Sequence, residues 1–292
     1  SSAASDVYKR QIEEEQQAPE FIGSQKNNVD TEDFAEYVRT VLELEIKWYE
    51  NSKSAVESFK TLRDKISQAG VIVMMSGIVG NNTHRPLDIN EFRAFAMVDD
   101  LAPLIFINSN DSVNGKLFSL LHEFAHICIG NNSLYNDRYS SGTRVSKAES
   151  VSNAVAAEIL VPQVMFEKKW KEIDKFDDPI KTIDVLTKYF SCGTTVIARK
   201  ALDNGYIDYS VYRKLSQIAV DRYNEKRKKE KEQGGGGDYY RTAASRIDTR
   251  FFKSLVSSVH EGKTLYTDAF RLTNTNRSTF ENLVNKMGGG SK

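Results

Sequence analysis

Apolar residues near the N-terminus recur with the spacing of an α-helix. Asp30 precedes this segment and can act as its N-cap, because a short acidic side chain accepts hydrogen bonds from the first amides of a helix. The pattern predicts a helix over residues 32–50 and a second helix from the capping box Ser54-x-x-Glu57 to Gly70. The apolar face of the first helix would consist of Phe34, Val38, Val41, Leu42 and Ile46.

Short apolar runs follow at residues 71–75, 95–98 and 104–108. They are separated by the turn-rich segments GNNTHRPLD and DDLAP. Short apolar runs bounded by turn residues are typical of strands. The sequence therefore predicts a small sheet, which we expect to be antiparallel.

Helical patterns dominate the rest of the chain. Residues 116–129 are apolar on most sides, which predicts a buried helix that ends at Gly130. After a polar loop at 131–145, a further helix is predicted from Ser146 to Pro162, and residues 184–206 have the apolar rhythm of a helix-turn-helix. These elements predict an α+β fold: a mostly helical core with a small antiparallel sheet, and a helical C-terminal domain.

The chain is predicted to divide into a core and a smaller helical unit. Residues 221–237 are highly charged and end in four glycines, which is typical of a linker. The first residues, SSAASDVYKRQ, begin without Met and resemble cloning carry-over. The predicted parts are a disordered tail at 1–30, the core at 31–220, the linker at 221–237, a helix-turn-helix-like domain at 238–287 and a flexible tail at 288–292.

The C-terminal domain carries helix-turn-helix spacing in LYTDAFRLTNTNRSTFENLV. Arginines that could read bases are limited there to Arg271 and Arg277. We expect a structural or protein-binding role for this unit, with DNA contact as the second interpretation.

Charge and cysteine content narrow the class of protein. Lysine and arginine number 40, as do aspartate and glutamate, so no net charge attracts the chain to nucleic acid or to an anionic membrane. The two cysteines, Cys128 and Cys192, cannot form a disulfide framework, and such scarcity suits a reducing compartment. No apolar run approaches the roughly 18 residues of a membrane span, and no secretory signal is visible. We expect a cytoplasmic protein without a membrane partner.

The strongest chemical signal is the HExxH motif formed by His122, Glu123 and His126. Residues four apart on a helix share a face, so both imidazoles can bind one Zn²⁺ ion. Glu123 lies beside that position and can take a proton from a water molecule whose pKa zinc lowers from about 15.7 toward about 7. Cys128 points away from this face, and the isolated His84 and His260 lack partners in the sequence.

A catalytic zinc needs a third protein ligand. Glu149 and Glu158 lie on the next predicted helix but on opposite faces, so both cannot reach the same ion. Glu149 is favoured, since Ala156 on its face allows close approach, although Ser146-x-x-Glu149 is also a capping box. Candidates for stabilising an oxyanion are Tyr135, Tyr139 and Arg144, each of which could equally be a loop residue.

The order of motifs resembles the ImmA/IrrE family of zincin-like metallopeptidases. The matching stretches are GVIV, FRAFAMVDD, APLIFINSND, KLFSLLHEFAHICIG and ESVSNAVAAEILVP. The resemblance implies that His122, His126 and Glu149 bind the metal and that Glu123 is the catalytic acid/base. One departure is Ala94, where the family often has Gly after the Arg of its FRG segment.

The resemblance also implies a substrate. Members of this family typically cut a helix-turn-helix repressor and so derepress stress-response, mobile-element or phage genes. We expect a zinc endopeptidase that binds an extended peptide along an edge strand at residues 104–108. The alternative is a transcriptional regulator or repressor-binding module in which the zinc site is structural or vestigial.

Overall fold

The computed structural model describes residues 18–80, 82–135, 146–173, 178–232 and 239–287. Its strands are β1 (Ile72–Ser76), β2 (Ile78–Val79), β3 (Asn82–Pro86), β4 (Ala94–Met97), β5 (Leu104–Asn108) and β6 (Ser133–Tyr135). The helices that precede or follow the sheet in the core are α1 (Thr31–Val41), α2 (Ala55–Gln68), α3 (Val113–Ile129), α4 (Lys147–Leu160), α5 (Gln163–Ile173), α6 (Pro179–Tyr189), α7 (Thr194–Asp203) and α8 (Tyr209–Glu232). The C-terminal helices are α9 (Tyr239–Arg246), α10 (Thr249–His260), α11 (Tyr266–Thr273) and α12 (Arg277–Met287).

The first predicted helix is shorter than the sequence pattern indicates. Asp30 caps α1 as expected, but the helix ends at Val41, and Glu43 takes a left-handed conformation with φ of 48°. The following turn leads into a 3-10 helix, Trp48–Asn51, in which Trp48 is buried and donates a hydrogen bond to the Ile159 carbonyl at 3.2 Å. Ile46, predicted on the buried face, is 45% exposed because it lies in this turn.

Residues 18–30, predicted as part of a disordered tail, form turns that pack on α3. Phe21 is buried, and its ring lies 5.2 Å from that of Phe124. The amides of Gly23 and Gln25 donate to carbonyl oxygens in the last turn of α3, at 3.1 and 2.8 Å. Carbonyls in the last turn of a helix lack the usual amide four residues further on, so the N-terminal segment supplies hydrogen-bond donors to the end of α3.

The sheet is mixed, so the prediction of an antiparallel sheet is wrong for one pair of strands. The strand order is β1-β5-β4-β6, with β1 and β5 parallel and the other two pairs antiparallel. A hairpin of β2 and β3, together with β4, lies in the chain between β1 and β5. This long connection returns the chain beside β1 in the same direction, as parallel pairing requires. The predicted edge strand β5 is therefore an inner strand.

Both faces of the sheet are covered, and successive residues of each strand point to opposite faces. One face packs on the core helices, with α3 lying directly against β4 and β5. That face presents Val73, Met75, Ala94, Ala96, Ile105 and Ile107. The opposite face packs on the C-terminal helices and presents Ile72, Met74, Phe95, Met97, Leu104 and Phe106.

The C-terminal unit is joined to the core by polar contacts at the edge strand β1. Asp248 accepts a hydrogen bond from the Val73 amide at 3.2 Å and another from the Phe251 amide at 2.9 Å. Arg63 donates to the carbonyls of Val73 and Ile247, at 3.1 and 3.0 Å. The side chains of Arg63 and Asp248 thus bond the backbone groups of Val73 at the open edge of β1. Covering an edge strand in this way protects a sheet from pairing with a further strand.

The predicted helical pairs are present in both halves of the chain. Helices α6 and α7 form the pair expected near residues 184–206, and α11 and α12 meet at Asn274, which is left-handed with φ of 54°. Helix α8 continues through residues 221–232, where a linker was predicted, and the remainder of that linker lies outside the described residues. None of the helices in the described ranges combines the length and apolar character needed to cross a membrane.

Candidate metal centre

The HExxH motif lies in the middle of α3, which is buried along most of its length. Ser112 caps the first turn by accepting the Gly115 amide at 2.9 Å, and Gly130 ends the helix with φ of 83°. A residue with a side chain would be strained at that φ and would come within 3.1 Å of the Gly23 backbone. Both ends of the helix are therefore fixed by local sequence, and the motif lies between them.

Helix α4 brings Glu149 to the histidines. Its backbone amide donates to the Ser146 hydroxyl at 3.2 Å, as the capping box predicted. Its carboxylate turns instead toward α3, with Oε2 3.3 Å from His122 Nε2 and Oε1 3.1 Å from His126 Nε2. Ser146 thus caps α4 through the Glu149 amide, while the Glu149 carboxylate, which a complete capping box would direct to the Ser146 amide, faces the histidines.

The three side chains converge on a single point. The two Nε2 atoms of His122 and His126 are 3.1 Å apart, and both face the Glu149 carboxylate. Ligand atoms at about 2.0–2.1 Å from a tetrahedral ion would be about 3.3–3.4 Å apart, so these separations fit one ion at the centre. His122, His126 and Glu149 form the group of side chains in the described part of the chain that could hold a metal.

The electrostatics of the site favour a bound cation. Burial lowers the pKa of His122, so its imidazole is neutral and can present a nitrogen lone pair. Burial raises the pKa of Glu149, but hydrogen bonds from His122 and His126 outweigh it and hold that pKa well below its ordinary value. A cation bound at this point would take the place of the hydrogen-bonding protons, with the two Nε2 atoms and the Glu149 carboxylate as its ligands.

Glu123 lies beside this group and is fully buried. Its Oε2 atom accepts a hydrogen bond from the Ser133 hydroxyl, whereas Oε1 has no hydrogen-bond partner among the described residues. Burial raises the pKa of Glu123 to about 8, and the negative charge of Glu149 acts in the same direction. The Ser133 contact opposes that rise.

Glu158, the alternative third ligand, does not approach the histidines. Its carboxylate accepts a hydrogen bond from the Lys200 ammonium at 2.5 Å and one from the Gln163 amide at 2.8 Å. It therefore caps α5 and forms a largely buried ion pair. Burial also raises the pKa of the Cys128 thiol, as expected for a core cysteine away from the site.

Of the three candidates for oxyanion stabilisation, the structure describes the backbone of Tyr135. Tyr135 lies in β6, where its backbone pairs with Ala94. Tyr139 and Arg144 lie outside the described residues. His84 and His260 are both exposed and lie in β3 and at the end of α10.

Two neighbours of the site were not given roles from the sequence. Ser133 fell in a segment predicted as loop, and it reaches Glu123 only because β6 pairs with β4. The Asn153 side chain hydrogen-bonds His122 from one turn beyond Glu149 on α4. Helical spacing places Asn153 on the Glu149 face, so that contact could have been inferred from the sequence.

Comparison with known proteins agrees with this geometry. A helix-borne HExxH motif with a glutamate from a later helix is the arrangement of ligand-type residues that zinc metallopeptidases use. Residues 69–202, which span both helices, match the family model of the IrrE N-terminal-like domain of the M78 peptidases. This domain of the chain therefore belongs to the ImmA/IrrE family, which confirms the resemblance found in the sequence.

The C-terminal unit has a match of its own. Residues 247–286 match a domain of unknown function, DUF8813. This region corresponds to α10, α11 and α12, which cover the outer face of the sheet. No curated protein matches the chain.

Proposed function

We propose that the chain is a zinc-dependent endopeptidase in which His122, His126 and Glu149 hold the ion. The observation that carries this proposal is the mutual approach of their three ligand atoms to 3.1–3.3 Å inside a buried site. Two histidines and one glutamate are a ligand set that catalytic zinc uses in peptidases, with one position left for water or substrate. Nitrogen and oxygen donors together suit zinc better than magnesium or calcium, which prefer oxygen ligands alone.

Glu123 is the proposed acid and base of the reaction. Zinc, when bound, supplies a Lewis acid that lowers the pKa of water and polarises the substrate carbonyl. The Oε1 atom of Glu123, which has no hydrogen-bond partner in the described part of the chain, accepts one proton from the attacking water as the new C–O bond forms. Glu123 then returns this proton to the amide nitrogen as the C–N bond breaks, so that the carboxylate is regenerated.

The substrate segment is proposed to bind along β6 rather than along β5. Strand β5 is paired on both sides, and the outer edge of β1 is contacted at Val73 by Arg63 and Asp248. Strand β6 is the other outer strand of the described sheet, and its Ser133 contacts Glu123. An extended peptide added at this edge would pass close to the candidate metal centre.

The proposed substrate is a helix-turn-helix repressor whose cleavage derepresses stress-response, mobile-element or phage genes. The support for this step is the membership of residues 69–202 in the ImmA/IrrE family, together with the expectation drawn from that resemblance. The proposed metal ligands and Glu123 can act on any peptide bond. The substrate must therefore be selected by contacts outside the metal centre.

The proposal is tested with the full chain and a helix-turn-helix repressor encoded beside its gene. Glu123→Gln should retain about one zinc per chain while cleavage, followed by mass spectrometry of the products, falls by at least roughly a thousandfold. Glu172→Gln, on an exposed helix surface, is the matched control and should cleave normally. Cleavage retained by Glu123→Gln would reject the proposed mechanism.

A further inference from the structure

The short strand β6 connects the sheet to the Glu123 carboxylate. The Ser133 hydroxyl donates to Glu123 Oε2, and the Ser133 oxygen accepts the Ala96 backbone amide at 3.2 Å. The neighbouring residue, Asn132, accepts the Val98 amide at 2.6 Å. The side chains of Asn132 and Ser133 thus each accept a hydrogen bond from a backbone amide at or just beyond β4. Of these two residues, Ser133 is the one that also contacts Glu123 of the HExxH motif.

We infer that Ser133 is a positioning residue for Glu123. The inference rests on the proposed function, in which Glu123 acts as the general base. The Ser133 hydroxyl would act through Glu123 and would touch neither the reacting atoms nor the ion. Its role would be to hold one carboxylate oxygen so that the other faces the reacting water.

The direction of the hydrogen bonds supports this role. A serine hydroxyl has a single hydrogen to donate, and its oxygen can accept as well. Because the Ala96 amide donates to the Ser133 oxygen, the hydroxyl hydrogen is directed to Glu123. Hydrogen bonds in such a chain strengthen one another in a buried environment.

The rest of the Glu123 environment offers little other restraint. The side chain is fully buried, and Oε1 has no hydrogen-bond partner in the described ranges. Apart from Ser133, the polar group found against the carboxylate is the Ala96 backbone amide. Removing the Ser133 hydroxyl would therefore leave the Ala96 amide as the remaining polar restraint on the carboxylate among the described residues.

Asn132 provides a control for the structural part of this arrangement. Asn132→Ala removes a side-chain bond to the Val98 amide, two residues from the Ala96 amide that Ser133→Ala leaves without its partner, and it does not touch Glu123. Ser133→Thr keeps the hydroxyl, and Ser133→Val has nearly the shape of threonine without it. Comparing Ser133→Thr with Ser133→Val therefore measures the effect of the hydroxyl alone, even if Ser133→Ala alters the strand.

The probe for the test is acetohydroxamic acid, titrated into the full chain loaded with Co²⁺ and followed by the visible absorption of the ion. A hydroxamate gives up a proton as it binds a metal, and a correctly placed Glu123 accepts that proton. This readout needs no substrate. The Co²⁺ content and spectrum before titration report separately whether the ligands are intact.

We expect Ser133→Ala and Ser133→Val to bind the hydroxamate roughly tenfold to hundredfold more weakly than wild type, as for the loss of a hydrogen bond to a charged group. Ser133→Thr and Asn132→Ala should stay within about threefold of wild type, and Glu123→Gln should weaken binding at least as much as Ser133→Val. The Co²⁺ spectrum should be the same in every variant.

The outcomes separate this inference from the proposed function. If Ser133→Val binds the hydroxamate as tightly as Ser133→Thr, Ser133 has no positioning role, although the metal centre stands. If Ser133→Ala and Ser133→Val lose Co²⁺, Ser133 supports the ligands rather than Glu123, and the inference is also wrong. A wild-type chain that binds no Co²⁺ would overturn the proposed function and this inference together.

Discussion

Glu149 Oε1 lies 3.1 Å from His126 Nε2, although the two residues belong to different helices, with strand β6 between them in the chain. The HExxH motif supplies two ligands from one helix, but the third must come from elsewhere in the chain. Close packing of α4 on α3 provides it. The candidate metal centre is therefore a property of the folded core as well as of the motif.

Asn153 is predicted to support the metal centre through His122. Its side chain interacts with that imidazole, and polar neighbours of a metal-binding ring help to orient it. Asn153→Ala should weaken zinc binding by about 10- to 100-fold, measured by competition with a chelator of known affinity. Ser150→Ala, at an exposed position of the same helix, should bind zinc as wild type does. Equal affinities in the two variants would show that the Asn153 contact is unimportant.

Asp248 is predicted to stabilise the contact between the C-terminal unit and the sheet. Replacing it by Ala removes the cap of α10 and leaves the Val73 amide without this partner. The free energy of unfolding should fall by about 2–4 kcal/mol, measured by urea denaturation. Asp268→Ala, which breaks the exposed pair with Arg271, should cost less than about 1 kcal/mol. A similar small loss for Asp248→Ala would contradict the structural importance of this contact.

Lys200 and Glu158 are predicted to stabilise the core as a pair. Their charged groups are 2.5 Å apart, with side-chain exposures of 10% and 11%. Lys200→Met leaves a carboxylate buried without its partner and should destabilise the chain by about 3–5 kcal/mol in thermal or urea unfolding. Adding Glu158→Gln should recover part of this loss. Arg199→Ala, in the exposed pair with Asp203, is the control and should cost less than about 1 kcal/mol.

The parts of the fold that local sequence controls were predicted well. Helix α3, its stop at Gly130 and the capping box at Ser146 depend on helical periodicity and on residues within one turn. The α+β class follows from the same patterns. The HExxH spacing also places both imidazoles on one face, so most of the candidate site could be read from the motif.

The errors occurred where distant parts of the chain decide the structure. Apolar runs predict strands but not their partners, so the parallel pairing of β1 with β5 was missed. The turn at Glu43 interrupts a good helical pattern because Trp48 and Tyr49 are buried against the core. Ser133 acquires its contact with Glu123 only through strand pairing, and no local signal in the loop sequence indicates that contact.

The central claim is that His122, His126 and Glu149 bind one ion together. The most direct test is the zinc content of the purified full chain after dialysis, measured by mass spectrometry of the metal. Wild type and the exposed control Glu172→Ala should each retain about one zinc per chain, whereas Glu149→Ala and His126→Ala should bind zinc at least roughly a hundredfold more weakly and lose it. Wild-type protein without zinc, or a Glu149→Ala variant that keeps it as tightly as wild type, would contradict the account.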